Sequence, residues 1–188
     1  MMKLTEEIWS RGLSYEEYRA TISRNLVVFD EVYADPSLRA SDLELLQRLP
    51  PLRVVAIAED WCPDVCHTLP TWARVAERLD GWQLKVFAWD TEPDLTDSFV
   101  WNEKLRRVPV YAFHDVAGRL QVWWSGRGGE AEAEVSRLLG GRKFTDLDPS
   151  QREAIGRALD SSYRKDLRRR NLAEILAMLA AFFHLPEG

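Results

Sequence analysis

The sequence predicts an α/β sandwich, a central mixed sheet of about four strands with helices on both faces and helical extensions at both ends. Three observations point to it. The β-branched apolar runs LRVVAIA (52–58) and LKVFAW (84–89) are separated by one amphipathic helical pattern, which makes a βαβ unit with parallel strands and a right-handed crossover. VYAFH (110–114) and LQVWWS (120–125) flank a turn ending in Gly118, a hairpin signal that adds antiparallel strands. Helical periodicity lies on either side of these strands, before residue 50 and after residue 148.

In chain order, Ser14 with Glu17 and Ser41 with Glu44 have the spacing of capping boxes. Tyr18, Ile22, Phe29 and Tyr33 fit one apolar stripe on the first helix so started, and Leu43 and Leu46 fit a stripe on the second. Pro50 and Pro51 precede the first strand. Pro63 stands at the first position of the next helix, where its missing N–H costs nothing, and Val65, Leu69, Trp72, Val75 and Leu79 form the apolar face. Gly81 is the expected stop. After the second strand, the acidic stretch 90–97 leads into a short amphipathic segment around Leu95, Phe99 and Leu105. Gly126, Gly128 and Gly129 open a loop before a helical piece at 130–139. Asp148 with Pro149 behind it starts a periodicity through Ile155, Leu159, Leu167, Leu176, Leu179 and Phe183, which one bent helix or two successive helices both fit.

Residues 1–188 read as one domain, with an N-terminal helical extension at 1–50, a core at 52–139 and a C-terminal helical extension at 145–185; the chain is long enough to bury a core without staples. A net charge of -5 argues against nucleic-acid binding and against an anionic membrane surface, since both require excess Lys and Arg. The basic run 164–170 interrupts a helical pattern and reads as a solvated helix face. Residues 1–9 carry charge and no apolar stretch long enough for a leader or a span, so the expected location is cytoplasmic.

The two cysteines, Cys62 and Cys66, are too close to staple distant parts of a fold and point instead to redox chemistry or metal binding. Cys62 follows a strand and precedes Pro63, so it falls at a helix N-terminus, where unpaired N–H groups favour the thiolate, the nucleophile of disulfide exchange. An inert core cysteine is the plainer alternative. Metal is not expected: Cys62, Cys66 and His67 fall short of the four protein ligands of a structural zinc site, and His67 is expected to face solvent or cap a carbonyl. His114 and His184 sit in apolar contexts that suggest packing. No cofactor fingerprint is present, because GRGG lacks the dinucleotide spacing.

Residues 56–70, AIAEDWCPDVCHTLP, resemble the strand, Trp-Cys motif and helix start of thioredoxins, and RVPV at 107–110 resembles the segment holding their cis-proline. The resemblance spans roughly 52–139 and implies a thioredoxin-like three-layer sandwich. More narrowly, the EDWCPD motif, WDTEPDL, the RVPV hairpin and the LSYEEY segment (13–18) are similar to a bacterial thioredoxin-like family in which the second cysteine position varies. The likeness implies a thiol-disulfide oxidoreductase with Cys62 as nucleophile and either Cys66 or an external thiol to resolve the mixed disulfide, acting on protein or small-molecule disulfides or low-molecular-weight thiols. Trp61, Pro63, Val108 and Pro109 would form the substrate-binding groove, with a cis Val108–Pro109 bond turning the Val108 backbone toward Cys62. Trp61 is expected to pack beside the thiol and shield it.

Two departures bear on function. The resolving thiol of thioredoxins would fall at Val65, and Cys66 is one place further along. Side chains four apart in a regular helix have Cβ atoms about 5–6 Å apart, whereas a disulfide wants about 3.5–4.5 Å, so Cys62 and Cys66 can join only if Cys62 stands outside the helix or the first turn is distorted. Ala56 stands where many thioredoxins carry a buried carboxylic acid. Proton transfer would then fall to Asp64 or Glu59, although carboxylates beside a thiolate oppose its formation; Asp64 equally suits the first turn of a helix, and Glu59 and Asp60 a solvated loop. Arg127, just after the hairpin, either projects toward the thiol or is a surface charge. The competing reading is a non-catalytic binding or redox-sensing module.

Overall fold

The computed structural model describes residues 3–89, 92–99 and 107–185. Its sheet is built from β1 (Arg53–Ile57), β2 (Gln83–Phe87), β3 (Val110–His114) and β4 (Leu120–Ser125) in the order β2-β1-β3-β4. β1 and β2 are parallel, with Ala56 opposite Val86; β1 and β3 are antiparallel, with Ala56 opposite Tyr111; β3 and β4 form the antiparallel hairpin. This is the mixed, helix-flanked sheet that the apolar runs predict. Gly118 closes the hairpin at φ 76°, and a Cβ there would meet the Leu4 carbonyl at 2.0 Å, so only glycine suits the position.

Alternation along the central strands divides the core between the two faces. Val54, Ala56, Tyr111 and Phe113 face α5 (Pro63–Arg78), together with buried residues from the helical extensions such as Phe29, Leu46 and Ile175. Val55, Ile57, Val110 and Ala112 face the other side, covered by Leu4, Trp9, Leu95 and Phe99. Trp9 comes from α1 (Glu6–Arg11), and Leu95 from the short helix that follows β2.

Several helix expectations change. The Ser14–Glu17 capping box forms and starts an α2 helix (Tyr15–Thr21), but the single predicted stripe is split between α2 and α3 (Leu26–Ala34). The cause is Asp60, whose Oδ2 accepts from the Ser23 and Arg24 backbone N–H groups at 2.7 and 2.9 Å and withholds them from helical bonding; Asn25 then enters α3 at φ 60°. The Ser41–Glu44 box does not form, because α4 (Ala40–Gln47) starts one residue before Ser41, and Asp42 instead accepts from the Arg39 N–H at 2.8 Å. Leu105 lies outside the described residues. α5 begins at Pro63 as expected, and α6 (Pro93–Asp97) and α7 (Gly129–Leu139) follow.

The C-terminal periodicity resolves into α8 (Pro149–Ser162), a π-helical turn (Tyr163–Leu167) and α9 (Arg168–Phe182), with Asp148 as the N-cap of α8. The basic run is less a solvated face than a set of ties to other elements: Arg164 pairs with Glu31, Arg169 bonds both oxygens of buried Asp42 at 2.6 and 2.9 Å, and Arg170 pairs with Glu130. His184 is exposed, in a left-handed turn past α9, whereas His114 is buried as its context suggests. Among the described residues no helix is long and apolar enough to cross a membrane.

Candidate active site

Cys62 is the N-cap of α5, at the carboxyl end of β1, and the first helical turn closes behind it with Cys66 N–H on the Cys62 carbonyl at 3.1 Å. The Val108–Pro109 bond is cis, and the Val108 carbonyl oxygen lies 3.5 Å from Cys62 Sγ. Asp64 Oδ2 lies 3.9 Å from the same sulfur, so the thiol hydrogen has two acceptors within reach. Cys62, Trp61, Glu59, Asp64 and Val108 line a cleft of about 590 Å³, with Trp89, Arg107, Arg127 and Glu132 on its other walls. Pro63 and Pro109 shape the backbone around the cleft without lining it.

Asp64 is 1% exposed, and its charge is fully engaged. Arg127 donates to Oδ2 from Nε at 3.0 Å and Nη2 at 2.6 Å, while the Tyr163 hydroxyl donates to Oδ1. Arg127 thus does project to the thiol end of the fold. Burial would pull its guanidinium down, but Asp64 outweighs this and holds it above its ordinary value. Glu59 takes a different part from the one expected: its Oε1 accepts from Trp89 N–H at 2.8 Å, anchoring the end of β2 at the cleft wall.

The protonation of Cys62 reverses the expectation from its place at a helix end. Burial, at 5% exposure, and then the Asp64 charge push its thiol up to about 12, outweighing the backbone N–H groups of Val65 and Asp64 and the charge of Arg127. Cys66 is pushed up by burial and then by Cys62; its Sγ donates to the Cys62 carbonyl at 3.0 Å, with the Asp60 carbonyl at 3.6 Å, and it does not line the cleft. Trp61 sits in the turn before α5, lines the same cleft as Cys62 and is 55% exposed.

His67, expected at the surface, is buried and stacked on the Tyr163 ring at 4.6 Å, with Nε2 3.0 Å from Asp160. Burial and then the charge of Arg168 pull it down to about 4, so near neutrality it is a neutral ring donating to Asp160. Neither Tyr163 nor Asn171 carries a signal in the sequence, because both lie more than eighty residues beyond α5 in the chain. At Ala56, buried and opposite Tyr111, the sheet offers no acid; the polar neighbours on that face are Tyr111 and Thr68, whose hydroxyls are 2.6 Å apart. Among the described residues no group of three or more His, Cys, Asp or Glu is arranged to hold a metal ion.

Comparisons with known proteins agree with this architecture. The crystal structure of a protein of unknown function from Pseudomonas aeruginosa superimposes with a TM-score of 0.69 at 16% identity, covering 96% of this chain and 99% of that one. The crystal structure of an HIV epitope-scaffold gives 0.61 at 15% identity, covering 93% and 96%. At such identities the likeness is one of fold. No curated protein matches the sequence. A family model described as thioredoxin matches residues 12–139, a span that takes in the whole sheet, α5 and the cis-proline wall of the cleft, and the chain therefore belongs to the thioredoxin family.

Proposed function

We propose that the protein is a thiol-disulfide oxidoreductase of thioredoxin type that works through Cys62 as a single reactive thiol. The observation that carries this is the position of Cys62 Sγ, which lines the cleft between the Val108 carbonyl and the Asp64–Arg127 pair while Cys66 is turned to backbone carbonyls. Cys62 attacks one sulfur of a disulfide, forming a mixed disulfide and releasing the other sulfur as a thiolate. Cys62 attacks as the thiolate after its proton has left to solvent through the cleft, and the departing thiolate takes up a proton from solvent in turn. Arg127, paired with Asp64, offsets part of the negative charge that forms on the sulfur. A second, low-molecular-weight thiol then attacks the mixed disulfide, restoring the Cys62 thiol and leaving as the new disulfide. Cys66 Sγ lies against the Cys62 and Asp60 carbonyls, so resolution by Cys66 is the dithiol alternative to this scheme.

Trp61, Val108 and the turns at Pro63 and Pro109 make the substrate groove, with disulfides and small thiols of a reducing cytoplasm as partners. The EDWCPD motif, whose last residue is the Asp64 of this pair, supports the narrower bacterial subgroup within the family. Residues 1–188 act in this reading as one unit, since the C-terminal helices reach the site.

The test is incubation with glutathione disulfide, read by intact mass. A glutathione adduct is expected on wild type and Cys66→Ser and absent from Cys62→Ser. Loss of two hydrogens in the wild type alone would replace the single-thiol mechanism with a dithiol one, and no adduct at all would end the oxidoreductase reading. A redox-sensing or binding module is the second reading, favoured by the burial of Cys62 and its high proton affinity.

A further inference from the structure

We propose that Tyr163, delivered by the C-terminal helices from outside the family-matched span, is a positioning residue for Cys62: it fixes the Asp64 carboxylate in the orientation that holds the thiol protonated. Three bonds in series fix that orientation. The Gly128 N–H donates to Asn171 Oδ1 at 3.2 Å, which turns the amide nitrogen of Asn171 toward Tyr163. Asn171 Nδ2 donates to the Tyr163 hydroxyl at 3.2 Å, so the hydroxyl proton is directed to Asp64 Oδ1. Oδ2 is left facing Arg127 and Cys62. Glycine at 128 permits this approach, since a Cβ would lie 2.6 Å from Asn171 Oδ1 and push the amide aside.

The π-helical turn is what brings the pair together. Residues eight apart in an α-helix differ by about 80° in direction, whereas residues seven apart differ by about 20°. The extra residue taken up by the turn Tyr163–Leu167 makes Asn171 behave as the seventh residue from Tyr163, two turns above it on one face. Stacking on His67 holds the ring rigid. Burial and the Asp64 charge raise the phenol, so it remains a donor. The groups facing Cys62 are Asp64 and Cys66 from its own helix, Tyr111 from β3 and Arg127 from the loop after β4, with Glu59, Arg107 and Glu132 on the cleft walls. Of these, Asp64 is the acid nearest in charge effect to the thiol, and Tyr163 is its anchor on the far oxygen.

The inference rests on Cys62 being the reactive thiol, but its test reads that thiol without requiring exchange. Iodoacetamide alkylation is followed against pH in the Cys66→Ser background. Tyr163→Phe keeps the ring on His67 and frees Oδ1, letting the carboxylate turn from the sulfur; alkylation at pH 8 should rise roughly three- to tenfold, with the pH profile displaced downward. Asn171→Ala should act in the same direction and keeps the question answerable if Tyr163→Phe folds poorly, as a thermal melt would reveal. Asp64→Asn should give a larger rise and make Tyr163→Phe silent in its presence. An unchanged or slower rate in both Tyr163→Phe and Asn171→Ala, or an equal effect of Tyr163→Phe with Asp64→Asn present, would overturn the proposal. Failure to form a glutathione adduct would remove the oxidoreductase reading and leave these alkylation results standing.

Discussion

Cys62 Sγ and Asp64 Oδ2 lie 3.9 Å apart, two residues apart in the chain and both buried, so a thiol and a carboxylate share one pocket, with Arg127 paired to the carboxylate. Burial first, and then the charge on Asp64, hold Cys62 against ionising.

Replacing that charge should therefore release the thiol. In Asp64→Asn, Arg127 remains beside a neutral amide and Cys62 loses its nearest anion, so iodoacetamide should alkylate Cys62 at pH 8 about tenfold faster or more than in wild type. Mass-resolved alkylation kinetics check this, and an unchanged rate would mean that burial alone sets the thiol.

Removing the cation should do the opposite and also cost stability. Arg127→Met leaves a buried carboxylate without its ion pair, a change that costs about 3 kcal/mol or more. Chemical denaturation should show a lower midpoint with a similar slope, and Cys62 should alkylate more slowly because the charge that lowers its proton affinity is gone.

Two tryptophans should separate site from core. Trp72 is buried against Tyr111 and Phe113, and Trp72→Ala should cost about 3–5 kcal/mol. Trp61→Ala should leave stability within about 0.5 kcal/mol of wild type, since the side chain is exposed, while slowing adduct formation at Cys62 through the lost cleft wall. Thermal melts and adduct kinetics on both variants provide the comparison.

Acid should weaken the fold through its buried histidines. His67 is pulled down from its ordinary 6.5 to about 4 by burial and then Arg168, and His114 to about 4 by burial. Below 6.5 the unfolded rings take up protons that the folded rings refuse, so stability is full above 6.5 and falls between 6.5 and about 4. Each histidine should cost about 2 kcal/mol at pH 5. His67→Gln, which keeps a donor for Asp160, should flatten the decline in melting temperature between pH 7 and pH 5.

What the sequence determined by itself was local. The four strands, the hairpin turn at Gly118, the start of α5 at Pro63 and the Asp148 cap follow from β-branched runs, from the absent N–H of proline and from short polar side chains reaching their own backbone. The placement of Cys62 at the start of a helix after a strand was legible for the same reason. The α2–α3 break was not, because the Asp60 carboxylate that captures the Ser23 and Arg24 amides comes from a distant part of the chain. The π turn was equally hidden: periodicity admits a bent helix or two helices, and only packing against α5 chooses where the extra residue goes.

The character of the site belongs to the tertiary structure. A helix N-terminus alone favours a thiolate, yet desolvation depends on everything packed around Cys62, and it outweighs the helix end. Asp64 acquires its meaning from Arg127, 63 residues away, and Tyr163, 99 residues away. Local sequence can place a cysteine beside an aspartate, but the proton on that cysteine is decided by burial and by charges that the chain brings back only when it folds.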